Sequence, residues 1–449
     1  MSNVLSVILA AGQGTRMKSD KIKVLHHVGG KPMVQHVVDS ITDFSSNIVL
    51  VIGHQSEDVN DSLDNKELKY VVQNEQLGTG HAVMQARELI ANHNGPVLVL
   101  YGDTPLLRGD TLKRFVKIHQ KEKAACTVLT ALIDNPTGYG RIVKDQEGYI
   151  TKIVEEKDAS LEEKSIKEIN SGVCCFDSKL LLEALDNIHN NNVQGEYYLT
   201  DTISYLSAQG ETVVPMSITD NSEIIGINDR VNLAKAEKVF RNRINIKHME
   251  NGVTIIDPDT TYIDSQVIIG QDTIIYPFTY LEGNTIIGVH CVIAPHSRII
   301  DGELGNYVNI KDHCVVMGSN VGNETNIGPY AYIRPGCNVM DKAKVGDFVE
   351  LKKADIGTGS KVPHLSYVGD ASIGKETNIG AGTIFANYDG EEKHKTTVGN
   401  EVFIGSNTTL IAPVKIYNKA KTGAGSVVTK DIKEGNTVVG VPARVYKKK

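Results

Sequence analysis

The first residues able to do chemistry lie in a glycine-rich loop that follows an apolar run. Residues 9–17 have the sequence LAAGQGTRM, in which two glycines and small neighbours let backbone N–H groups approach a phosphate chain. The loop lacks the third glycine of the dinucleotide-binding fingerprint, so its spacing alone fits a phosphate site or an ordinary turn. Arg16 in the loop and Lys23 beyond it could neutralise phosphate charge, or could be plain surface cations.

An aspartate follows another apolar run, within the sequence YGDTP at residues 101–105. A carboxylate at the carboxyl end of a strand suits a Mg²⁺ ion that keeps several waters and bridges phosphates. The alternative is an aspartate that only stabilises a turn, which is a common use of a Gly-Asp pair. The pattern therefore predicts either a metal ligand or a turn residue at Asp103.

Two cations in the second half of the chain share one place in a six-residue repeat. Arg334 and Lys352 each follow an inward-pointing aliphatic residue and lie 18 residues apart, so they should stack on adjacent coils about 5 Å apart. Like charges at that spacing repel each other unless an anion lies between them. The spacing predicts a phosphate-binding pair, with two cations that splay into water as the alternative.

A histidine lies one coil beyond this pair, at a position that we predict to be a turn of the repeat. A lone surface histidine is usually idle, but His364 has Tyr367, Asn378 and Glu350 nearby in the sequence pattern. An imidazole could take a proton from an attacking amine, a role typically worth about 10²–10⁴-fold. The repeat is then interrupted at residues 386–396, and insertions in solenoids often form the binding face.

The elements that position the first group belong to an α/β domain. Residues 4–9, 48–52, 97–101 and 126–132 are predicted to be buried strands, with helices at 33–43 and 81–91 between them. Ligands bind at the carboxyl ends of strands in such sheets, which directs attention to the loops after Leu9 and Tyr101. Residues 229–251 then have the apolar spacing of a single linker helix.

The elements that position the second group repeat every six residues over the last 180 or so positions. Aliphatic residues start the repeats at Val321, Ile327, Ile333, Val339, Val345, Leu351, Ile356, Val362, Val368, Ile373, Ile379, Val398, Ile404, Leu410 and Ile416. We expect the aliphatic residue to point inward, a small residue four places on to fill a corner, and a frequent following glycine to permit the turn. Three repeats make one triangular coil of a parallel β-helix.

Composition excludes several classes of protein. The net charge of −7 gives no nucleic-acid footprint, and no apolar run has the length of a membrane span. The apolar opening lacks a basic segment and runs into the glycine-rich loop, which argues against a signal peptide. Six cysteines without a C-x-x-C pair predict unpaired thiols in a cytoplasmic protein.

The N-terminal motifs closely resemble the sugar-nucleotidyltransferase family. The matching segments are LAAGQGTRM, KVL at residues 23–25 and GKPM at 30–33. The resemblance implies a Rossmann-like domain in which Arg16 and Lys23 neutralise the triphosphate of UTP. It further implies nucleotide contacts from Leu9, Ala10, Ala11, Gly12, Gln73, Gly78 and Thr79, sugar contacts from Gly140, Glu155 and Asn170, and Mg²⁺ ligands Asp103 and Asn228.

The repeats are similar to the hexapeptide-repeat family, whose members form left-handed β-helices. Together with the inserted loop, they resemble the bifunctional uridylyltransferase/acetyltransferase family that acts on glucosamine-1-phosphate. The resemblance implies that His364 is the base, that Arg334, Lys352, Tyr367 and Asn378 bind the sugar phosphate, and that Ala381, Asn387, Tyr388, Ser406 and Ala424 bind acetyl-coenzyme A. An arginine expected near the C-terminus falls at Val441, and Arg444 follows three residues later.

The expected enzyme has a nucleotidyltransferase domain at 1–228, a linker helix at 229–251 and an acetyltransferase β-helix at 252–449. The resemblance implies that it acetylates glucosamine-1-phosphate and then couples N-acetylglucosamine-1-phosphate to UMP, with Mg²⁺ as cofactor. It also implies a homotrimer. Two alternatives are a single-activity nucleotidyltransferase whose β-helix only oligomerises, and a regulatory subunit, which should have lost Arg16, Lys23 or Asp103.

Overall fold

The structure, a computed structural model, describes residues 3–45, 47–53, 59, 61–63 and 67–446. It divides into unit 1, Met1–Phe240, and unit 2, Arg241–Lys449. The boundary lies inside the helix Arg230–Glu250, which agrees with a single helix at the predicted place. The division into three domains stays a prediction.

Unit 1 is built on a nine-stranded sheet. In chain order its strands are β1 Leu5–Leu9, β2 Asn47–Ile52, β3 Lys69–Val72, β4 Pro96–Tyr101, β5 Cys126–Leu132, β6 Arg141–Lys144, β7 Ile150–Val154, β8 Glu168–Asp177 and β9 Val213–Ser217. The sheet order is β9-β5-β8-β4-β1-β2-β3, and β6 and β7 form a hairpin attached to β8. All pairs are parallel except that hairpin and the pairs made by β8.

Helices cover both faces of this sheet. They are α1 Met33–Ile41, α2 Thr79–Met84, α3 Arg87–Ala91, α4 Gly109–Glu122, α5 Leu161–Lys164, α6 Ser178–Asp186, α7 Asp201–Ala208 and α8 Arg230–Glu250, the last extending into unit 2. Ile8 packs into one hydrophobic core and Val7 and Leu9 into the other, which explains why the strands are continuously apolar. The single helix predicted at 81–91 is wrong, because α2 and α3 are separate helices divided at Gln85 and Ala86.

Unit 2 is a parallel β-helix with three faces. The first face has strands Thr254–Ile255, Ile274–Ile275, Val292–Ile293, Asn309–Ile310, Asn326–Ile327, Lys344–Asp347, Lys361–His364, Asn378–Ile379, Phe403–Ile404, Lys421–Thr422, Thr437–Val439 and Arg444–Val445. The second has Tyr262–Ile263, Tyr280–Glu282, Arg298–Ile300, Val315–Met317, Tyr332–Ile333, Ile384–Ala386, Thr409–Ile411 and Val427–Val428. The third has Ile268–Ile269, Ile286–Ile287, Glu303–Leu304, Asn320–Val321, Asn338–Val339, Thr396–Val398 and Lys415–Ile416, and strands Glu350–Ile356 and Tyr367–Ile373 turn from the second face to the third.

The inward positions of the repeat are as predicted. Every aliphatic residue that was assigned to start a repeat is at most 3% exposed. The step from one coil to the next is 18 residues at Ile333 and Leu351, 17 at Val345 and Val362, and 25 where the inserted loop leaves the coil before Val398. Because stacking, and not a fixed count, sets the register, the coils absorb shortened repeats.

The role predicted for the glycines that follow the aliphatic residues is wrong for most of them, with Gly328 (φ 90°) as an exception. A side-chain carbon at Gly405 would lie 2.7 Å from the backbone nitrogen of Ala424 in the next coil, so glycines of this kind permit the close approach of coils. Most turns with positive φ are made at other positions, and many are occupied by residues other than glycine, such as Phe278 (φ 59°) and Tyr330 (φ 55°). A strained backbone there is held by the stacked coils on either side.

One corner of the β-helix carries a row of stacked rings. Phe278, His296, His313, Tyr330 and Phe348, here called the aromatic ladder, have successive ring centroids 4.7 to 5.2 Å apart and interplanar angles of 3° to 10°. All five rings belong to exposed residues.

The first face ends in an antiparallel pair, in which Val438 lies opposite Val445 and Val439 opposite Arg444. All six cysteines are buried and free. In the part of the chain that the structure describes, no helix is long and apolar enough to cross a membrane.

Candidate active sites

A cavity of about 610 Å³ lies in unit 1 where β1 and β4 end. It is lined by every residue that was predicted to act in this unit: Leu9, Ala10, Ala11, Gly12, Arg16, Lys23, Gln73, Gly78, Thr79, Asp103, Gly140, Glu155, Asn170 and Asn228. The volume suits a drug-sized or nucleotide-sized ligand. Residues from nearly the whole length of unit 1 therefore meet at one place.

The glycine-rich loop is held at the cavity by its neighbouring strands. The backbone N–H of Ala10 donates to the carbonyl of Val51 at 2.8 Å, and that of Gly102 donates to the carbonyl of Leu9 at 2.9 Å. Gly14 has φ 62°, and a side-chain carbon there would lie 2.6 Å from Cβ of Lys23. A glycine at 14 thus lets Lys23 pack directly against the loop.

Lys23 lies between the two predicted metal ligands. Its Nζ is 2.5 Å from Oδ2 of Asp103 and 3.2 Å from Oδ1 of Asn228. The backbone N–H of Ile227 donates to the carbonyl of Asp103 at 3.0 Å, which holds Asn228 beside that aspartate. One carboxylate oxygen and one amide oxygen, already sharing a cation, fit a Mg²⁺ that takes its other ligands from water and phosphates.

These two ligands do not make a complete metal site from protein side chains alone. Within the described residues, no group of three or more His, Cys, Asp or Glu side chains could hold a metal ion. Mg²⁺ is commonly bound by one or two carboxylates together with substrate phosphates, so this finding agrees with the donor set at Asp103.

The predicted base contacts lie where α2 begins. The side chain of Gln73 is buried, and its Nε2 donates to the carbonyl of Gly78 at 3.2 Å. Gly78 has φ 109°, and a side-chain carbon there would overlap the backbone of Tyr197. The Thr79 hydroxyl accepts the N–H of Leu199 at 3.0 Å, so this end of the cavity is fixed by the segment that leads to α7.

The predicted sugar contacts are cross-strand neighbours. Gly140, Glu155 and Asn170 flank the row in which Arg141 pairs with Val154 and Ile169. The backbone N–H of Asn170 donates to the carbonyl of Gly140 at 2.9 Å.

Burial raises the pKa of Glu155, and a hydrogen bond from Thr200 at 3.2 Å opposes that rise. A carboxylate in this position can accept hydrogen bonds from sugar hydroxyls. Thr200 was not found from sequence, because nothing in its surroundings distinguishes it from other threonines.

The cation pair of unit 2 stacks as predicted, but each cation has its own carboxylate. Ile333 and Leu351 are in register, so Arg334 and Lys352 follow each other on adjacent coils. Arg334 Nη1 is 3.0 Å from Glu350 Oε1, and Lys352 Nζ is 3.1 Å from Asp370 Oδ2. The pair does not require a bound anion to relieve repulsion, because Glu350 and Asp370 already compensate it.

His364 ends the strand Lys361–His364 and does not lie in a turn, contrary to the prediction. It lies opposite Asp347 in the register, and its Nδ1 is 2.6 Å from Oδ1 of that aspartate. An ionised carboxylate can only accept, so Nδ1 carries a proton; in the neutral form of the imidazole Nε2 then has the free lone pair. The His364 side chain is 51% exposed, which leaves Nε2 open to a substrate.

Asp347 was missed by sequence reasoning. Burial would raise its pKa, but a hydrogen bond from its own backbone N–H and one from His364 hold the pKa of the carboxyl below its usual value. The carboxyl is therefore ionised at neutral pH. Its position one coil, 17 residues, before His364 was the available signal.

The predicted acetyl-coenzyme A contacts form a row that begins at the histidine. His364, Ala381, Ser406 and Ala424 each follow by two residues the inward positions Val362, Ile379, Ile404 and Thr422, which stack on successive coils. The N–H of Asn407 donates to the carbonyl of Ala381 at 2.7 Å, and that of Gly425 to the carbonyl of Ser406 at 2.8 Å. The structure thus brings these four together along one edge.

The inserted loop reaches back to the cation pair. Asn387 is buried, and its Nδ2 donates to Asp370, the partner of Lys352. The Tyr388 ring is exposed, with its hydroxyl donating to the carbonyl of Gly390 at 2.6 Å. Lys352 also lies against Lys393 and lowers the pKa of that lysine, which sequence reasoning missed although it lies in the inserted loop.

The remaining predicted residues lie on different faces. Tyr367 is on the second face, in register with Glu350, whereas Asn378 is on the first face, in register with Lys361. Val441 is exposed, and Arg444 donates from Nη1 to the carbonyl of Ala443 at 3.0 Å.

Two protein-family models match different parts of the chain. The family model for nucleotidyl transferases matches residues 5–222, and the model for the bacterial transferase hexapeptide (six repeats) matches residues 266–301. These matches confirm the predicted fold class, an α/β nucleotidyltransferase domain followed by a left-handed hexapeptide β-helix.

Whole-length relatives bear the name bifunctional protein GlmU. The protein from Clostridium beijerinckii is 50% identical over 97% of this chain and 95% of its own length. That from Heliobacterium modesticaldum is 51% identical over 97% of this chain and 94% of its own length. That from Geobacillus sp. is 50% identical over 98% of this chain and 96% of its own length.

Proposed function

We propose roles for individual residues of a chain that belongs to the GlmU family of bifunctional transferases. The chain makes UDP-N-acetylglucosamine in two steps. It acetylates glucosamine-1-phosphate from acetyl-coenzyme A and then transfers UMP from UTP to N-acetylglucosamine-1-phosphate, releasing pyrophosphate; the product is a precursor of cell-wall polymers. Neither a single-activity transferase nor a regulatory subunit describes it.

The uridylyl transfer belongs to the unit 1 cavity. A phosphate oxygen of the sugar phosphate attacks the α-phosphorus of UTP in line, and the bond to pyrophosphate breaks. Arg16 and Lys23 neutralise charge on the phosphates, and Gln73, Gly78 and Thr79 hold the base. The observation that supports this assignment is that the residues predicted to contact nucleotide and sugar, from distant parts of the sequence, line one cavity.

Asp103 and Asn228 are proposed to hold Mg²⁺. When bound, the ion supplies positive charge to the triphosphate during transfer. Lys23 Nζ bonds both oxygens, so its charge would act at the same place as that of the ion. Gly140, Glu155 and Asn170 orient the sugar.

The acetyl transfer belongs to the edge of unit 2 that starts at His364. The amine of glucosamine-1-phosphate attacks the thioester carbonyl of acetyl-coenzyme A and His364 Nε2 takes the amine proton; the carbon–sulfur bond then breaks, and the imidazolium returns the proton to the leaving thiolate, which departs as coenzyme A thiol. Asp347 accepts a hydrogen bond from Nδ1 of His364 and so favours the tautomer of the imidazole whose Nε2 can take a proton. Arg334, Lys352, Tyr367 and Asn378 are proposed to bind the sugar phosphate, and Ala381, Asn387, Tyr388, Ser406 and Ala424 the coenzyme.

A homotrimer would complete this second site. The proposed sugar-phosphate contacts lie on two outward faces of one chain, so a neighbouring copy is needed to surround a substrate. The aromatic ladder is exposed and ends at Phe348, next to Asp347, which offers an apolar edge beside the site. Light scattering should give three times the chain mass of 48.9 kDa, and a monomer would overturn the assembly.

We keep a cytoplasmic location as part of the proposal. All six cysteines are buried and free, which is the ordinary state of thiols in a reducing compartment.

One incubation tests the two activities and their order, without regard to the roles of individual residues. The full chain is mixed with glucosamine-1-phosphate, acetyl-coenzyme A, UTP and Mg²⁺, and the products are measured by mass spectrometry. UDP-N-acetylglucosamine should form, should vanish when acetyl-coenzyme A is left out, and should return when N-acetylglucosamine-1-phosphate replaces the first sugar. Equal product with and without acetyl-coenzyme A would overturn the order of the two steps.

A further inference from the structure

Arg141 is a buried cation at the centre of the proposed sugar contacts, to which neither motif nor resemblance assigned a role. It directly follows Gly140, is the first residue of β6, and pairs with Val154 of β7 and Ile169 of β8. Those two residues directly precede Glu155 and Asn170. One residue therefore touches all three strands that present sugar contacts.

The guanidinium of Arg141 ties the turn before β6 to the segment after β7. Arg141 is 1% exposed, and its side chain donates to the carbonyl of Tyr139 and to Oε2 of Glu156, the latter at 2.6 Å. Glu156 also accepts the backbone N–H of Gly138 at 3.2 Å. The turn that ends at Gly140 is thus fastened to the residue next to Glu155.

This arrangement is expensive for a plain hairpin. Taking a guanidinium out of water costs several kcal/mol before pairing, and a packed apolar side chain is often no worse for stability. Nε of Arg141 also has no hydrogen-bond partner among the described residues. Two hydrogen bonds from one planar group do, however, fix two directions at once, which a lysine at this position could not do.

We propose that the Arg141–Glu156 pair is a positioning device that sets the affinity of the unit 1 cavity for the sugar phosphate. The pair fixes the distance between Gly140 and Glu155, where a side-chain carbon at 140 would lie 3.5 Å from both carboxylate oxygens of Glu155. Loosening it misplaces the sugar contacts and leaves the base and triphosphate contacts intact. The inference rests on the proposed uridylyl transfer.

The test separates the Michaelis constants of the two substrates. Glu156→Ala should raise the KM for N-acetylglucosamine-1-phosphate about tenfold, the lower end of what losing a supporting partner costs, while the KM for UTP stays within about twofold. Glu156→Gln, whose amide oxygen can still accept both hydrogen bonds, should restore the KM to within about threefold of the original. Arg141→Lys should behave like Glu156→Ala.

Glu163→Ala is the matched control, since it removes a partly exposed carboxylate that pairs with Lys152 of β7 and does not line the cavity. A loss of folded enzyme lowers kcat alone and leaves both KM values unchanged, so that result, or an equal rise in both KM values, would overturn the inference. A Glu156→Gln variant as impaired as Glu156→Ala would do the same. If the unaltered enzyme forms no UDP-sugar, the proposed function fails instead.

Discussion

The two sites of this chain are assembled by opposite means. The cavity in unit 1 gathers residues from Leu9 to Asn228: parallel strands β1 and β4 end there, and the antiparallel pairing of β6, β7 and β8 brings the proposed sugar contacts beside them. The edge in unit 2 gathers His364, Ala381 and Ser406 because equivalent positions of successive coils stack. The first site depends on long-range topology and the second on local register.

The difference determines how each site fails. A change in one loop of unit 1 moves one group of contacts, since each comes from its own strand. A change in a coil of unit 2 that shifts the register displaces the residues that follow it relative to those before. The 25-residue step at the inserted loop is therefore informative, because the coil after it, at Val398, returns to register with Ile373.

The largest expected effect is the loss of one activity while the other is retained. His364→Ala should lower acetyl transfer by about 10²–10⁴-fold, because it removes the group proposed to take the amine proton. UDP-sugar formation from N-acetylglucosamine-1-phosphate should be unchanged. Both rates can be measured on the same preparation by coenzyme A thiol release and pyrophosphate release, and an equal loss of both would contradict the separation of the sites.

Asp103→Asn is the reciprocal change in unit 1. It removes the carboxylate proposed to hold a cation at the phosphates, and we expect uridylyl transfer to fall by about 10²–10³-fold, as for other charge-stabilising groups. Acetyl transfer serves as the control and should not change. Full pyrophosphate release in this variant would rule out Asp103 as a metal ligand.

Asp347→Asn sharpens the assignment of the histidine. An amide can donate to Nδ1 and favour the wrong tautomer, so kcat for acetyl transfer should fall about 10–100-fold while both KM values hold. A rise in KM for glucosamine-1-phosphate with kcat intact would show that Asp347 binds substrate and does not orient His364. Initial rates over a matrix of both substrates distinguish the two.

The smallest effect concerns stability and pH in unit 1. Burial raises the pKa of Glu155, so its ionisation costs stability at neutral pH, and that cost disappears once the carboxyl is protonated in folded and unfolded chains alike. Glu155→Gln should slightly raise the unfolding temperature of unit 1 at pH 7, with the gain fading as the pH falls to 4.5, the ordinary pKa of the carboxyl. The unfolding of unit 2 is the internal control. A gain that is constant with pH would contradict the role of ionisation.

Much of unit 2 could be predicted from sequence because a single six-residue period determines which positions stack on successive coils. The inward residues, the small corner residues such as Thr325 and Ser360, and the stacking of Arg334 on Lys352 all follow from counting. The reason why glycines follow the aliphatic residues could not be found by counting the repeat, since it depends on how closely neighbouring coils approach.

The site residues of unit 1 could be predicted from the sequence pattern only where their motifs are local. The glycine-rich loop and Asp103 each follow a recognisable strand, and the resemblance supplied the distant residues. Arg141 and Thr200 were not accessible, because their partners Glu156 and Glu155 come close only through the pairing of β6, β7 and β8 and the packing of α7. Pair interactions of this kind leave no period and no fixed spacing in a sequence.

The antiparallel pair at the end of the first face has a consequence for solubility in crowded solutions. A stack of parallel coils ends in a row of unpaired backbone groups, on which the first coil of another molecule could continue and build a fibre. Here the last strand, Arg444–Val445, runs opposite to the coils and carries a charged side chain, and three lysines follow in the sequence. The reversal of one short strand thus covers the last parallel strand of the first face, so that a further parallel coil cannot pair with it there.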